Sequence, residues 1–103
     1  YDVESGEENI KNFVEKYKTQ FGQDNDLVAA HAYDSVYLLA NCFEKAENNL
    51  INVDEIKHCL YQTKDYRGAS GVFDIDGNGD SVRKAFILKT VRDGKFVKLR
   101  DQL

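Results

Sequence analysis

The stretch Asp74-Ile75-Asp76-Gly77-Asn78-Gly79-Asp80 sets carboxylate and amide oxygens at alternate positions, with a glycine at the sixth. That spacing suits calcium, a large hard cation that gathers several oxygen ligands from a chain folding back on itself. The pattern then stops. Ser81 and Ala85 stand where an EF-hand carries an aliphatic residue and a bidentate glutamate. The flanks read as strands, so an acidic β-turn is the ordinary explanation. The alternative is a small calcium-binding interaction protein with Asp74, Asp76, Asn78 and Asp80 as its ligands.

Nucleophilic chemistry has one candidate place. His31 and Ser35 share a helix face at i, i+4 spacing, with Asp34 between them. Catalysis would also need a separate group to orient the base and donors for an oxyanion, and a regular helix keeps its amides to itself. No catalytic residue is assigned and no enzyme activity is expected. His31, Cys42, His58 and Cys59 match no standard zinc spacing, and adjacent His58 and Cys59 point to different helix faces. No metal or other cofactor is expected. Cys42 and Cys59, the two cysteines, fall in apolar helical patterns, so buried free thiols are favoured over a bridge, which would fit an oxidising compartment. Tyr33 and Tyr37, one turn apart, read as core rather than as a ligand-stacking pair.

These residues must be positioned by helices first and strands later. Ile10, Phe13, Val14, Tyr17 and Phe21 make one apolar stripe. They predict a helix over 7–21, opened by a Ser5/Glu8 capping box and closed by Gly22 in a left-handed cap. Lys11, Glu15, Lys16 and Lys18 form its solvated face, with Lys11 and Glu15 paired at i, i+4. Asp26 is the expected N-cap of a second helix over 27–46. From Leu27 to Phe43 that helix is apolar almost all round, so it requires cover on several sides. Asn52 and Glu55 cap a third helix over 53–64, whose buried stripe is Val53, Ile56 and Leu60. The loop Tyr66-Arg67-Gly68-Ala69-Ser70-Gly71 follows, then a short strand over 72–75 and the acidic turn. Alternation over 85–92, the Asp93-Gly94 turn and 95–99 predict a C-terminal hairpin.

The 103 residues carry 18 acidic and 14 basic side chains, a formal net charge of -4. That balance argues against nucleic acid as a partner. No apolar run approaches the roughly 18 residues of a spanning helix. The chain contains no methionine, which points to a processed protein or a cut from a longer one. We expect the latter, because two other short helices cannot cover the second. Residues 1–103 are then a single segment, and in isolation it is expected to self-associate through that helix.

Two groups of residues carry a resemblance to a known family. One is Phe13-x-x-x-Tyr17-x-x-x-Phe21-Gly22 followed by Ala29-Ala30-x-Ala32-Tyr33-Asp34-x-Val36-x-Leu38-Leu39-Ala40. The other is Tyr66-Arg67-Gly68-Ala69-Ser70-Gly71, Phe73-Asp74, Gly79-Asp80 and Val91-x-Asp93-Gly94-Lys95-Phe96-Val97. In this order they resemble the closing part of type 1 periplasmic binding proteins, the branched-chain amino-acid receptors of ABC transporters and related receptor ligand-binding domains. The resemblance implies an α/β fold: a partial type 1 periplasmic-binding fold with three helices, a short strand and a C-terminal β-hairpin. It implies two lobes closing over a small amino-acid-like ligand in the full-length protein, a membrane permease as partner, and a periplasmic or extracellular location, free or lipid-anchored. The first turn of the second helix, Leu27, Val28, Ala29 and Ala30, is the stretch it places near ligand. Relatives often carry an aromatic where this chain has Val28.

Overall fold

In the structure, a computed structural model, residues 7–46, 52–83 and 85–99 are described. Helix α1 spans Glu8–Phe21, α2 Leu27–Lys45 and α3 Val53–Tyr61; the strands are β1 Tyr66–Gly68, β2 Gly71–Ile75, β3 Ser81–Arg83, β4 Lys89–Arg92 and β5 Lys95–Lys98. Glu7 holds the N-cap position of α1. The Ser5 half of the expected capping box lies outside the described residues. Gly22 ends α1 at φ 69°, a left-handed conformation that glycine adopts without a Cβ penalty, and its N–H donates to the Lys18 carbonyl. The Asp26 carboxylate accepts from the Ala29 amide, and the Asn52 side chain from the Asp54 and Glu55 amides. In each case a short polar side chain satisfies donors that the first turn leaves open.

Helix α3 stops three residues earlier than its sequence pattern, at Tyr61. Its last turn tightens, and the Thr63 carbonyl accepts from Ile75 N–H instead, which ties the helix exit to the end of β2. Strands β1, β2 and β3 form one antiparallel sheet in that order, with Tyr66 opposite Phe73 and Phe73 opposite Arg83. Two of these strands were not apparent in the sequence. Tyr66–Gly68 reads as a glycine-rich loop, and Ser81–Arg83 is too short to show a period. Conversely, the strand expected over 85–92 is confined to Lys89–Arg92, paired with β5 through Val91 opposite Phe96. Residues 85–88 alternate correctly but are not strand; a bond from Leu99 N–H to the Leu88 carbonyl (2.8 Å) lies just past the end of the β4–β5 ladder.

The core is small: Phe13, Ala30 and Ala69 are buried together, with Val14, Tyr17, Ala29 and Tyr33 packed around them. Rings run continuously from α1 to α2, Phe21 to Tyr17 (centroids 4.7 Å apart), Tyr17 to Phe13 (5.8 Å), Phe13 to Tyr33 (4.8 Å) and Tyr33 to Tyr37 (4.7 Å). Such tilted pairs contribute beyond the area they bury. Tyr33 is partly buried there as expected, whereas Tyr37 remains 49% exposed. Its hydrogen bond to Tyr37, and then burial, push the Tyr33 hydroxyl up to about 12.

The free-thiol expectation is corrected. Cys42 of α2 and Cys59 of α3 are joined in a disulfide with Cα atoms 5.8 Å apart. Each sits on the buried stripe of its own helix, so packing those stripes together brings the sulfurs within bonding distance.

Helix α2 buries Ala30, Asp34 and Cys42, a narrow stripe at four-residue spacing. One further apolar face is open: Val36 is 66% exposed, Phe43 46% and Leu39 40%. Among the described residues nothing covers that face, although a helix this apolar ordinarily packs on several sides.

Candidate functional site

The buried stripe of α2 carries one charged residue, Asp34, only 3% exposed. Its carboxylate meets the turn between β1 and β2. Oδ1 accepts from Ala69 N–H (2.7 Å), and Oδ2 accepts from Ser70 N–H (3.0 Å) and from the Ser70 hydroxyl. Three donors on one carboxylate supply in place what water supplied before burial. Gly68 is what lets the turn come this close, because a Cβ there would overlap the Asp34 carboxyl group. On the other side, the Asn9 side-chain amide donates to the Gly68 carbonyl (2.6 Å), so α1, α2 and the sheet meet at this turn.

The network continues into β3. Arg83 donates through Nη1 to the Ser70 hydroxyl oxygen (2.8 Å), places its guanidinium carbon 4.5 Å from the Phe73 ring centroid, and brings Nη2 to 2.6 Å from His31 Nε2. A guanidinium only donates, so this contact requires His31 Nε2 as acceptor, that is, a neutral imidazole with its proton on Nδ1. Burial, and then the Arg83 charge, lower the His31 pKa from 6.5. Burial and the Asp34 charge raise that of Tyr66.

Beside this network lies an open cleft of about 630 Å³, lined among others by Ile10, Leu27, His31, Arg67, Arg83 and Phe86. Of the four residues expected near ligand, Leu27 lines this cleft, Val28 points outward at 73% exposure, Ala29 is half-buried, and Ala30 is wholly buried against Phe13 and Ala69. The structure brings His31 to Arg83 rather than to Ser35, whose hydroxyl donates to the His31 backbone carbonyl of its own helix. The four conceivable zinc donors do not converge: two are bridged sulfurs and His31 faces Arg83.

The calcium-like stretch is the hairpin turn between β2 and β3. Asp76 Oδ1 accepts from the Asn78 and Asp80 amides (2.9 Å each), and Asp76 N–H donates to the Asp80 carbonyl (2.8 Å). Asp74 Oδ1 accepts from Asp65 N–H at 2.7 Å, on the side of the sheet. Antiparallel strands flank the turn, where an EF-hand has helices.

The Asp34–Ser70–Arg83 network is the feature that sequence spacing missed. Its signal was a lone acid on the apolar stripe Ala30-x-x-x-Asp34-x-x-x-Leu38-x-x-x-Cys42. A carboxylate on a core stripe requires donors, and the glycine-flanked Ala69-Ser70 turn is where free amides are found.

Similar structures are known. A leucine binding protein, LivK, from Thermotoga maritima superposes with a TM-score of 0.78 at 27% identity, over 95% of this chain and 27% of its own. An ABC transporter substrate-binding protein from Desulfitobacterium hafniense in complex with Leu gives a TM-score of 0.81 at 27% identity, over 96% of this chain and 29% of its own. The branched-chain amino acid transporter substrate binding protein LivJ from Streptococcus pneumoniae, in complex with isoleucine, gives 0.73 at 31% identity, over 95% and 28%. The chain thus spans between a quarter and a third of these proteins' length. No curated protein matches it significantly. Residues 3–93 match the family described as receptor family ligand binding region, and by that match, with the fold and the ordered motifs in agreement, the chain belongs to that family.

Proposed function

We propose that this chain is the C-terminal segment of an extracytoplasmic solute-binding protein that feeds an ABC importer and binds an amino acid with a branched apolar side chain. The observation that carries this is the agreement of nearly the whole chain with part of proteins solved with leucine and isoleucine. The segment contributes no chemistry of its own. It supplies one wall of a cleft, and ligand held between two lobes favours their closed arrangement. The partner is the importer's membrane permease, and the protein works in the periplasm or outside the cell, free or lipid-anchored. The Cys42–Cys59 bridge suits an oxidising compartment. Among the described residues, no helix is long and apolar enough to cross a membrane.

The test is calorimetric. The complete protein containing this chain is expected to bind leucine, isoleucine or valine with a Kd of about 1 μM, roughly -8 kcal/mol, while the 103 residues alone give no heat at millimolar ligand. Tight binding of sugars or nucleosides with no response to these amino acids would overturn the ligand class. Micromolar binding by the isolated chain would overturn its role as a partial wall.

A second expectation concerns α2. Alone in solution, the chain is expected to associate through the face bearing Val36, Leu39 and Phe43. Sedimentation velocity should show an average mass rising with concentration. A strict monomer over a hundredfold range would mean that this face needs no cover.

A further inference from the structure

We propose that His31 and Arg83 form an acid-opened gate between α2 and β3. Two hollows meet at this pair. His31, Ser70 and Arg83 line both the cleft of about 630 Å³ and a smaller one of about 160 Å³ that runs past Asp34, Leu38 and Phe73. The 2.6 Å contact from Arg83 Nη2 to His31 Nε2 lies among the residues the two hollows share.

The contact holds in only one protonation state. Neutral His31 offers Nε2 as acceptor to a guanidinium donor. Once protonated, the ring has donors on both nitrogens and a like charge against Arg83, with no acceptor between them. Arg83 cannot yield its proton and cannot readily retreat, since Ser70 and the Phe73 ring hold it from two other sides. His31 is the partner that swings away, and the two hollows join.

The charges around His31 set the direction. Arg83 on β3 opposes its protonation, and Asp34 on the same helix favours it, though Asp34 is already engaged by three donors of the β1–β2 turn. Glu7, Asp65 and Arg67 rim the same cleft from the N-cap of α1, from the residue before β1 and from β1 itself. Burial and Arg83 prevail, and the proton affinity of His31 falls below that of a free histidine. The sign follows: the closed gate is fully favoured above 6.5, and that preference is lost as pH falls through the lowered pKa. The gate stands on this chain's own contacts and does not depend on the identity of any ligand.

NMR of the full chain tests it. At pH about 7.5, His31 is expected as the Nδ1–H tautomer, and its ring should titrate below 6.5. Amide exchange in β3, corrected for its intrinsic pH dependence, should accelerate as pH falls through that midpoint. In His31→Gln, whose amide oxygen still accepts from Arg83 but does not titrate, the acceleration should vanish. An Nε2–H tautomer at neutral pH, a midpoint at or above 6.5, or the same acid response in His31→Gln would each overturn the gate. Should the variant fail to fold, the tautomer and midpoint of the unaltered chain still decide.

Discussion

Asp34→Ala is expected to be the most damaging single substitution in the chain, lowering the free energy of unfolding by about 3–5 kcal/mol. The carboxylate is the acceptor for Ala69 N–H, Ser70 N–H and the Ser70 hydroxyl in a buried site. Removing it strands three donors, and each buried donor without a partner costs about 1–3 kcal/mol before relaxation. Water entering the vacated space recovers part of that, which keeps the sum below three full penalties. Asp34→Asn should cost less, because the amide retains one oxygen for the Ala69 or Ser70 amide. Urea unfolding checks both through the midpoint at constant slope. A loss below about 1 kcal/mol for alanine would mean that the turn finds other acceptors and the network is incidental. Gly68→Ala approaches the same failure from the other side, since its new methyl would occupy the space of the Asp34 carboxyl group.

Opening the Cys42–Cys59 bridge is the second large effect. The two cysteines are 17 residues apart in sequence, and closing a loop of that size restricts the unfolded chain by roughly 3 kcal/mol. Paired Cys42→Ser and Cys59→Ser, or a reductant, should therefore lower Tm by about 15 °C for a chain of this length. The loss should concentrate on α3, whose buried hydrophobic residue besides the half-buried Cys59 and Leu60 is Ile56. An unchanged melt under reductant would show that α2 and α3 hold together by packing alone.

The helices were legible because each announces its own ends. Asp26, Asn52 and Gly22 cap through bonds made within a few residues, so local sequence contains the whole cause. The hairpin at Asp93-Gly94 is legible for the same reason: both residues take the positive φ (51° and 77°) that the turn demands. What escaped depends on distant partners. Strand β1 exists because β2 lies opposite, while Ala85–Leu88, with a better alternation, belongs to no strand ladder among the described residues. The bridge was misjudged because two cysteines on apolar stripes look alike whether or not those stripes meet. At the site, the contact of His31 with Arg83 spans 52 positions, and no spacing rule reaches that far. The resemblance carried the ordered glycine turn without revealing that Asp34 is what the turn closes on.

The line of rings from Phe21 through Tyr17, Phe13 and Tyr33 to Tyr37 has a practical use. The chain has no tryptophan, so its near-ultraviolet absorption and its emission come mainly from tyrosine, and three of the six tyrosines stand in that line. Near-ultraviolet circular dichroism around 275 nm and tyrosine emission will therefore report whether α1 is seated on α2, with no dye or engineered label. A worker following partial unfolding of this chain has an optical gauge already built into the junction of its first two helices.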